Sequence, residues 1–92
     1  MEGDFETETE HQLAIIWADV LKLDKVRPED DFFGLGGDSL LATSVMLEAR
    51  RIWNLSVTVR VLIDTPVLGD LAARIDLLVS QQAAKPTPSD RA

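Results

Sequence analysis

Asp38 and Ser39 stand where a glycine-hinged loop, Asp31-Phe32-Phe33-Gly34-Leu35-Gly36-Gly37, meets an apolar pattern of helical period. Gly34, Gly36 and Gly37 allow the chain to turn sharply, because glycine reaches backbone angles that other residues avoid. Asp38 is then a good N-cap, which puts Ser39 in the first helical turn. Unpaired backbone N–H groups and the positive end of the helix dipole favour an anion such as a phosphate there. Ser39 is therefore the leading candidate for chemistry. The plainer reading is that Gly-Gly-Asp-Ser ahead of a helix is an ordinary loop and cap.

What Ser39 does depends on its neighbours. Gly37-Asp38-Ser39-Leu40 spells the signature of the hydrolase family named after those four letters. A nucleophilic serine needs a base within hydrogen-bond reach and an oxyanion hole. That family takes its base from a histidine far downstream on a longer α/β chain. Here the single histidine, His11, lies upstream in a helical pattern, so a hydrolase is disfavoured. Gly34-Leu35-Gly36-Gly37 lacks the lysine and preceding strand of a phosphate-cradling P-loop. One histidine, no cysteine and carboxylates without a Ca²⁺-loop spacing give no metal site. A serine without its own base can still be a substrate, modified by an enzyme that supplies both base and metal.

Composition narrows the rest. Ninety-two residues allow one core and little room for a large enclosed active site. The formal net charge is −7, with eleven acids and three bases through Asp38 but five acids and six bases from Ser39 onward. An acidic front half argues against nucleic acid, which needs a basic footprint. With no cysteine there is no disulfide and no thiolate. No stretch approaches the ~18 apolar residues of a membrane span, and the acidic start lacks the apolar run of a signal peptide. A cytoplasmic, soluble monomer is the expectation.

The elements that must hold Ser39 can be placed in order. Residues 1–6 read as a flexible leader. Thr7 and Glu10 form a capping box, and Leu13, Ile16, Trp17, Val20 and Leu21 make one stripe on a helix of about four turns. Leu23 to Phe33 is a long connection, and Phe32 and Phe33 are expected to pin it to the core. A second helix is expected from Ser39 to Trp53, ending at Asn54. At 100° per residue, Leu41, Val45, Ala49 and Ile52 share its core side, flanked by Ala42, Met46 and Trp53. Leu40, Thr43, Ser44, Leu47, Arg50 and Arg51 lie opposite. Val57-Thr58-Val59-Arg60-Val61 alternates like a strand, yet no second run exists to pair with it, so a loop leading into a helical turn around 60–63 is expected. Thr65 and Pro66 should cap and open the last helix, whose stripe is Leu68, Leu71, Ala72, Ile75, Leu78 and Val79, running to about Gln82. Residues 83–92 read as a flexible tail or linker, leaving 7–82 as the domain. The fold class is all-α, a small bundle of three main helices and one short one.

The stretch Asp31-Phe32-Phe33-Gly34-Leu35-Gly36-Gly37-Asp38-Ser39-Leu40-Leu41-Ala42 resembles the modification site of phosphopantetheine-dependent carrier proteins, especially the peptidyl carrier (thiolation) domains of nonribosomal peptide synthetases. The similarity runs from about Leu13 to Leu78, through Ile16-Trp17-Ala18-Asp19-Val20-Leu21, Arg50, and Thr65-Pro66 with Leu71-Ala72. It implies an acyl-carrier-protein-like bundle in which Ser39, beside Gly37, receives 4′-phosphopantetheine from coenzyme A. The donor enzyme would be a Mg²⁺-dependent phosphopantetheinyl transferase, with Asp38 assisting the metal. The arm's thiol would carry aminoacyl or acyl groups as thioesters between partners in natural-product synthesis, and the carrier itself would catalyse nothing. The implied partners are an adenylation or other acyl-loading enzyme and condensation, ketosynthase, tailoring or thioesterase enzymes. Leu40, Thr43, Met46, Leu47 and Arg50 are the expected docking residues. Two departures from many peptidyl carriers are Ile63 in place of phenylalanine and Val67 in place of threonine. The competing reading is a non-catalytic helical interaction module that uses the Leu40/Leu47 face.

Overall fold

The computed structural model describes residues 5–84, which form four helices: α1 (Glu8–Leu21), α2 (Ser39–Trp53), α3 (Val59–Asp64) and α4 (Leu68–Ala84). Helix α1 packs on α4 and α2, and α2 packs on α3. The expected all-α bundle of three main helices and one short helix is what forms. Among the described residues the only extended pairing is an isolated antiparallel bridge between Asp31 and Val67. The expected leader falls largely outside the described residues, as do positions 85–92 of the expected tail.

Local signals explain the helix starts. Thr7 caps α1, its hydroxyl accepting the Glu10 N–H at 3.1 Å. The reciprocal half of the capping box is displaced: the Glu10 carboxylate accepts the Glu6 N–H at 2.7 Å rather than that of Thr7. Asp38 caps α2 and Thr58 caps α3. Helix α2 ends at Asn54 in the left-handed conformation, while α1 ends with Lys22 at φ 60°, which no glycine or asparagine signals.

The fully buried side chains come from all parts of the chain: Leu13 and Trp17 from α1, Phe32 from the loop, Val45 from α2, Leu62 from α3, and Leu68, Leu71 and Ile75 from α4. The α2 core face is turned about one residue from the expected one. Ala42, Val45, Met46 and Ala49 are buried, whereas Ile52 is 46% exposed. Small alanines let α2 approach closely on that side, and Leu41 moves to the flank.

The start of α4 corrects another expectation. Thr65 closes α3, donating its N–H to Val61 and Leu62 carbonyls, and Pro66 is not the first residue of α4. Val67 instead pairs with Asp31, and the helix begins at Leu68. Three backbone hydrogen bonds draw this corner onto the connecting loop: Phe32 N–H to Pro66 O at 2.8 Å, Leu68 N–H to Asp30 O at 3.0 Å and Gly69 N–H to Pro28 O at 2.8 Å. Burial of these backbone groups beside the core favours pairing across the gap over an earlier helix start.

Candidate functional site

The loop before Ser39 is a run of tight turns held by backbone. Asp31 begins it, its Oδ1 accepting the N–H groups of Phe33 (2.9 Å) and Gly34 (3.0 Å). Leu35 donates to Asp31 O at 3.0 Å, Gly36 to Phe33 O at 3.2 Å and Gly37 to Phe32 O at 3.0 Å. Gly36 has φ 102°, a conformation that strains any residue with a Cβ. Gly37 is needed for a different reason. A Cβ there would overlap the Phe32 ring, lying 2.9 Å from Cζ and nearer still to Cδ2 and Cε2.

Beyond the turns, Asp38 is extended, and its Oδ1 accepts the Leu41 N–H at 2.9 Å while its carbonyl accepts the Ala42 N–H at 2.8 Å. Ser39 follows as the first residue of α2 and is exposed. The N–H groups of the first turn that the cap does not take point outward there, at the positive end of the dipole. Nothing would contact a Cβ on Gly36 within 4 Å, so the space before the serine is open. An exposed hydroxyl, an open approach and a helix start together fit a phosphodiester on Ser39.

The arrangement does not fit a serine hydrolase. His11 lies on α1 against the Phe5 ring, with centroids 5.5 Å apart, and lines a hollow with Ala14, Ile15, Ala18, Asp24, Lys25 and Val26. None of those residues belongs to the serine loop. Among the described residues, no three His, Cys, Asp or Glu side chains gather as metal ligands.

The structure sorts the expected docking residues. Leu40 is 76% and Leu47 52% exposed, and Thr43 and Arg50 are exposed with them. Thr43 also ties the helix start, its hydroxyl donating to Ser39 O at 2.9 Å. Met46 is 2% exposed and belongs to the core, because α2 turns its Ala42–Met46–Ala49 side inward. It contributes only the floor of a hollow of about 180 Å³ that Thr43, Leu47, Arg50, Val57, Thr58 and Val59 complete. Sequence reasoning missed that second wall. The alternating Val57-Thr58-Val59 was its signal, since one valine is buried while the next position faces out. Phe33, expected in the core beside Phe32, is 39% exposed and rests edge-on against the Phe32 ring at 5.6 Å. Glu48, the single acid of α2, pairs with Arg51 at 3.1 Å.

A protein-family model described as "Phosphopantetheine attachment site" matches residues 11–75. Malpibaldin synthetase of Mortierella alpina is 48% identical over 88 residues, which is 96% of this chain and 1% of the synthetase. The chain thus spans a small fraction of the curated relatives it matches. A solved structure described as "Non Ribosomal PCP domain" superposes with a TM-score of 0.69 at 42% identity, covering 75% of this chain and 88% of that one. A peptidyl carrier protein solved with coenzyme A and the phosphopantetheine transferase Sfp is similar at a TM-score of 0.75 and 29% identity, over 79% of this chain and 95% of that one.

Proposed function

The chain belongs to the phosphopantetheine attachment site family, and from that premise we propose that it is a peptidyl carrier domain bearing 4′-phosphopantetheine on Ser39. The observation that carries the residue assignment is the exposed serine at the first position of α2, at the end of a loop whose path is fixed by Gly36, Gly37 and the Asp38 cap.

Ser39 is the acceptor. Its Oγ attacks the phosphate that bears pantetheine in coenzyme A, a new P–O bond forms to Oγ, and the bond to adenosine 3′,5′-bisphosphate breaks. The serine proton passes to a base supplied by the transferase; His11, the single histidine, lies on α1 against Phe5 and outside the serine loop. Asp38 uses one oxygen to cap α2, and its other oxygen would be available to a Mg²⁺ ion that neutralises charge on the transferred phosphate. Once attached, the arm supplies the thiol that a cysteine-free chain lacks and holds aminoacyl or acyl groups as thioesters.

Leu40, Leu47, Thr43 and Arg50 form the face offered to the transferase, to an adenylation or other loading enzyme, and to condensation, ketosynthase, tailoring or thioesterase enzymes. Their exposed leucines suit apolar contacts ringed by polar groups. Residues 7–82 constitute the carrier unit, with the flanking segments as leader and linker. Chemistry resides in the partners, and the unit itself acts as a non-enzymatic, soluble monomer in the cytoplasm.

The test is intact mass after incubation with coenzyme A, Mg²⁺ and a promiscuous phosphopantetheinyl transferase. The wild type gains one phosphopantetheine and Ser39→Ala gains none. No gain beside a working control carrier leaves a helical interaction module using the Leu40/Leu47 face.

A further inference from the structure

Phe32 is completely buried, yet it bears on the serine loop through two kinds of contact. Its carbonyl accepts the Gly37 N–H at 3.0 Å, and its ring fills the space that a Cβ on Gly37 would need. Phe32 is itself fixed from behind. Its N–H donates to Pro66 O at 2.8 Å, and its ring meets Trp17 edge-on with centroids 5.0 Å apart. Trp17 is likewise fully buried, and among the described residues its Nε1 has no hydrogen-bond partner, so packing does most to hold the indole. Gly37 directly precedes the Asp38 cap, so the contact with the Phe32 ring lies two residues from Ser39 at the entrance to α2.

We infer that Phe32 is a positioning residue for the attachment reaction: its ring, braced on Trp17, sets the level at which Gly37, Asp38 and Ser39 leave the core. This rests on the carrier reading. An exposed nucleophile on a loop free to drift would sample many orientations towards the transferred phosphate, and a displacement near 1 Å lowers a rate by up to ~100-fold. The residue touches neither coenzyme A nor the reacting atoms, so its effect belongs in turnover rather than in docking.

The experiment measures transferase kinetics with the carrier as varied substrate, at a temperature where circular dichroism shows every variant folded. Phe32→Leu keeps an apolar side chain but lacks the distal ring atoms. It is expected to lower kcat about tenfold with KM for the carrier unchanged. Gly37→Ala forces the loop off the ring and lowers kcat similarly. In Phe32→Leu/Gly37→Ala the Cε2 and Cζ atoms are gone and the remaining δ-methyls can rotate away from position 37, which the planar ring cannot do, so the combined loss is smaller than the product of the single losses. Ile75→Val, a core truncation in α4, controls for lost stability and should leave kcat at the wild-type value. A Phe32→Leu protein with wild-type kcat, or losses that simply multiply, overturns the inference. A wild-type protein that gains no phosphopantetheine overturns the carrier reading itself.

Discussion

Asp38 has two separable tasks, and substitution can part them. Asp38→Ala removes the acceptor of the Leu41 N–H and should cost about 1 kcal/mol, read as a lower thermal midpoint. Asp38→Asn keeps a capping oxygen but not the charge. It should retain nearly the wild-type midpoint while its phosphopantetheine attachment, followed by mass against time at fixed Mg²⁺, slows at least severalfold. Equal rates for Asp38→Asn and wild type would remove the metal from its role. Residue-level features of this kind were legible because caps and turns are written within four or five positions: Thr7, Asp38 and Asn54 all stand where the sequence put them. Met46, Ile52 and Phe33 were not, because whether they face core or solvent depends on which helix lies opposite.

At the scale of elements, the range of α2 follows from sequence alone, from its cap, its apolar period and its asparagine stop. The start of α4 does not. Thr-Pro is a good helix opening by local rules, but here its carbonyl is taken by Phe32 and the next residue pairs with Asp31, a bargain struck across more than thirty positions of chain. The outer face of α2 gives a prediction of its own. Leu47 is half-exposed, so Leu47→Asp should leave circular dichroism and thermal midpoint close to wild type while reducing the rate of acyl loading at least severalfold. Unchanged kinetics with every partner would show that the face is not used.

At the scale of the whole molecule, α1 and α4 are joined by packing and, among the described residues, by a side-chain link in which the hydroxyl of Thr9 donates to Asp76. Thr9 is buried, so Thr9→Val exchanges that link for a methyl of similar volume and should lower stability by about 1 kcal/mol. In a domain of this size that is a fall of about 4–8 °C in midpoint, measurable by thermal melting, with attachment to Ser39 unaffected below the transition. The ties between the serine loop and the head of α4 have a temporal consequence. Residues 28–32 cannot settle until residues 66–69 have been made and brought back to meet them. A nascent chain from which Ser39 has emerged while residues 66–69 are still held back therefore shows a serine with no fixed surroundings. Competence for modification arrives late in synthesis, and a chain interrupted before α4 carries the whole recognition sequence without the shape that makes it readable.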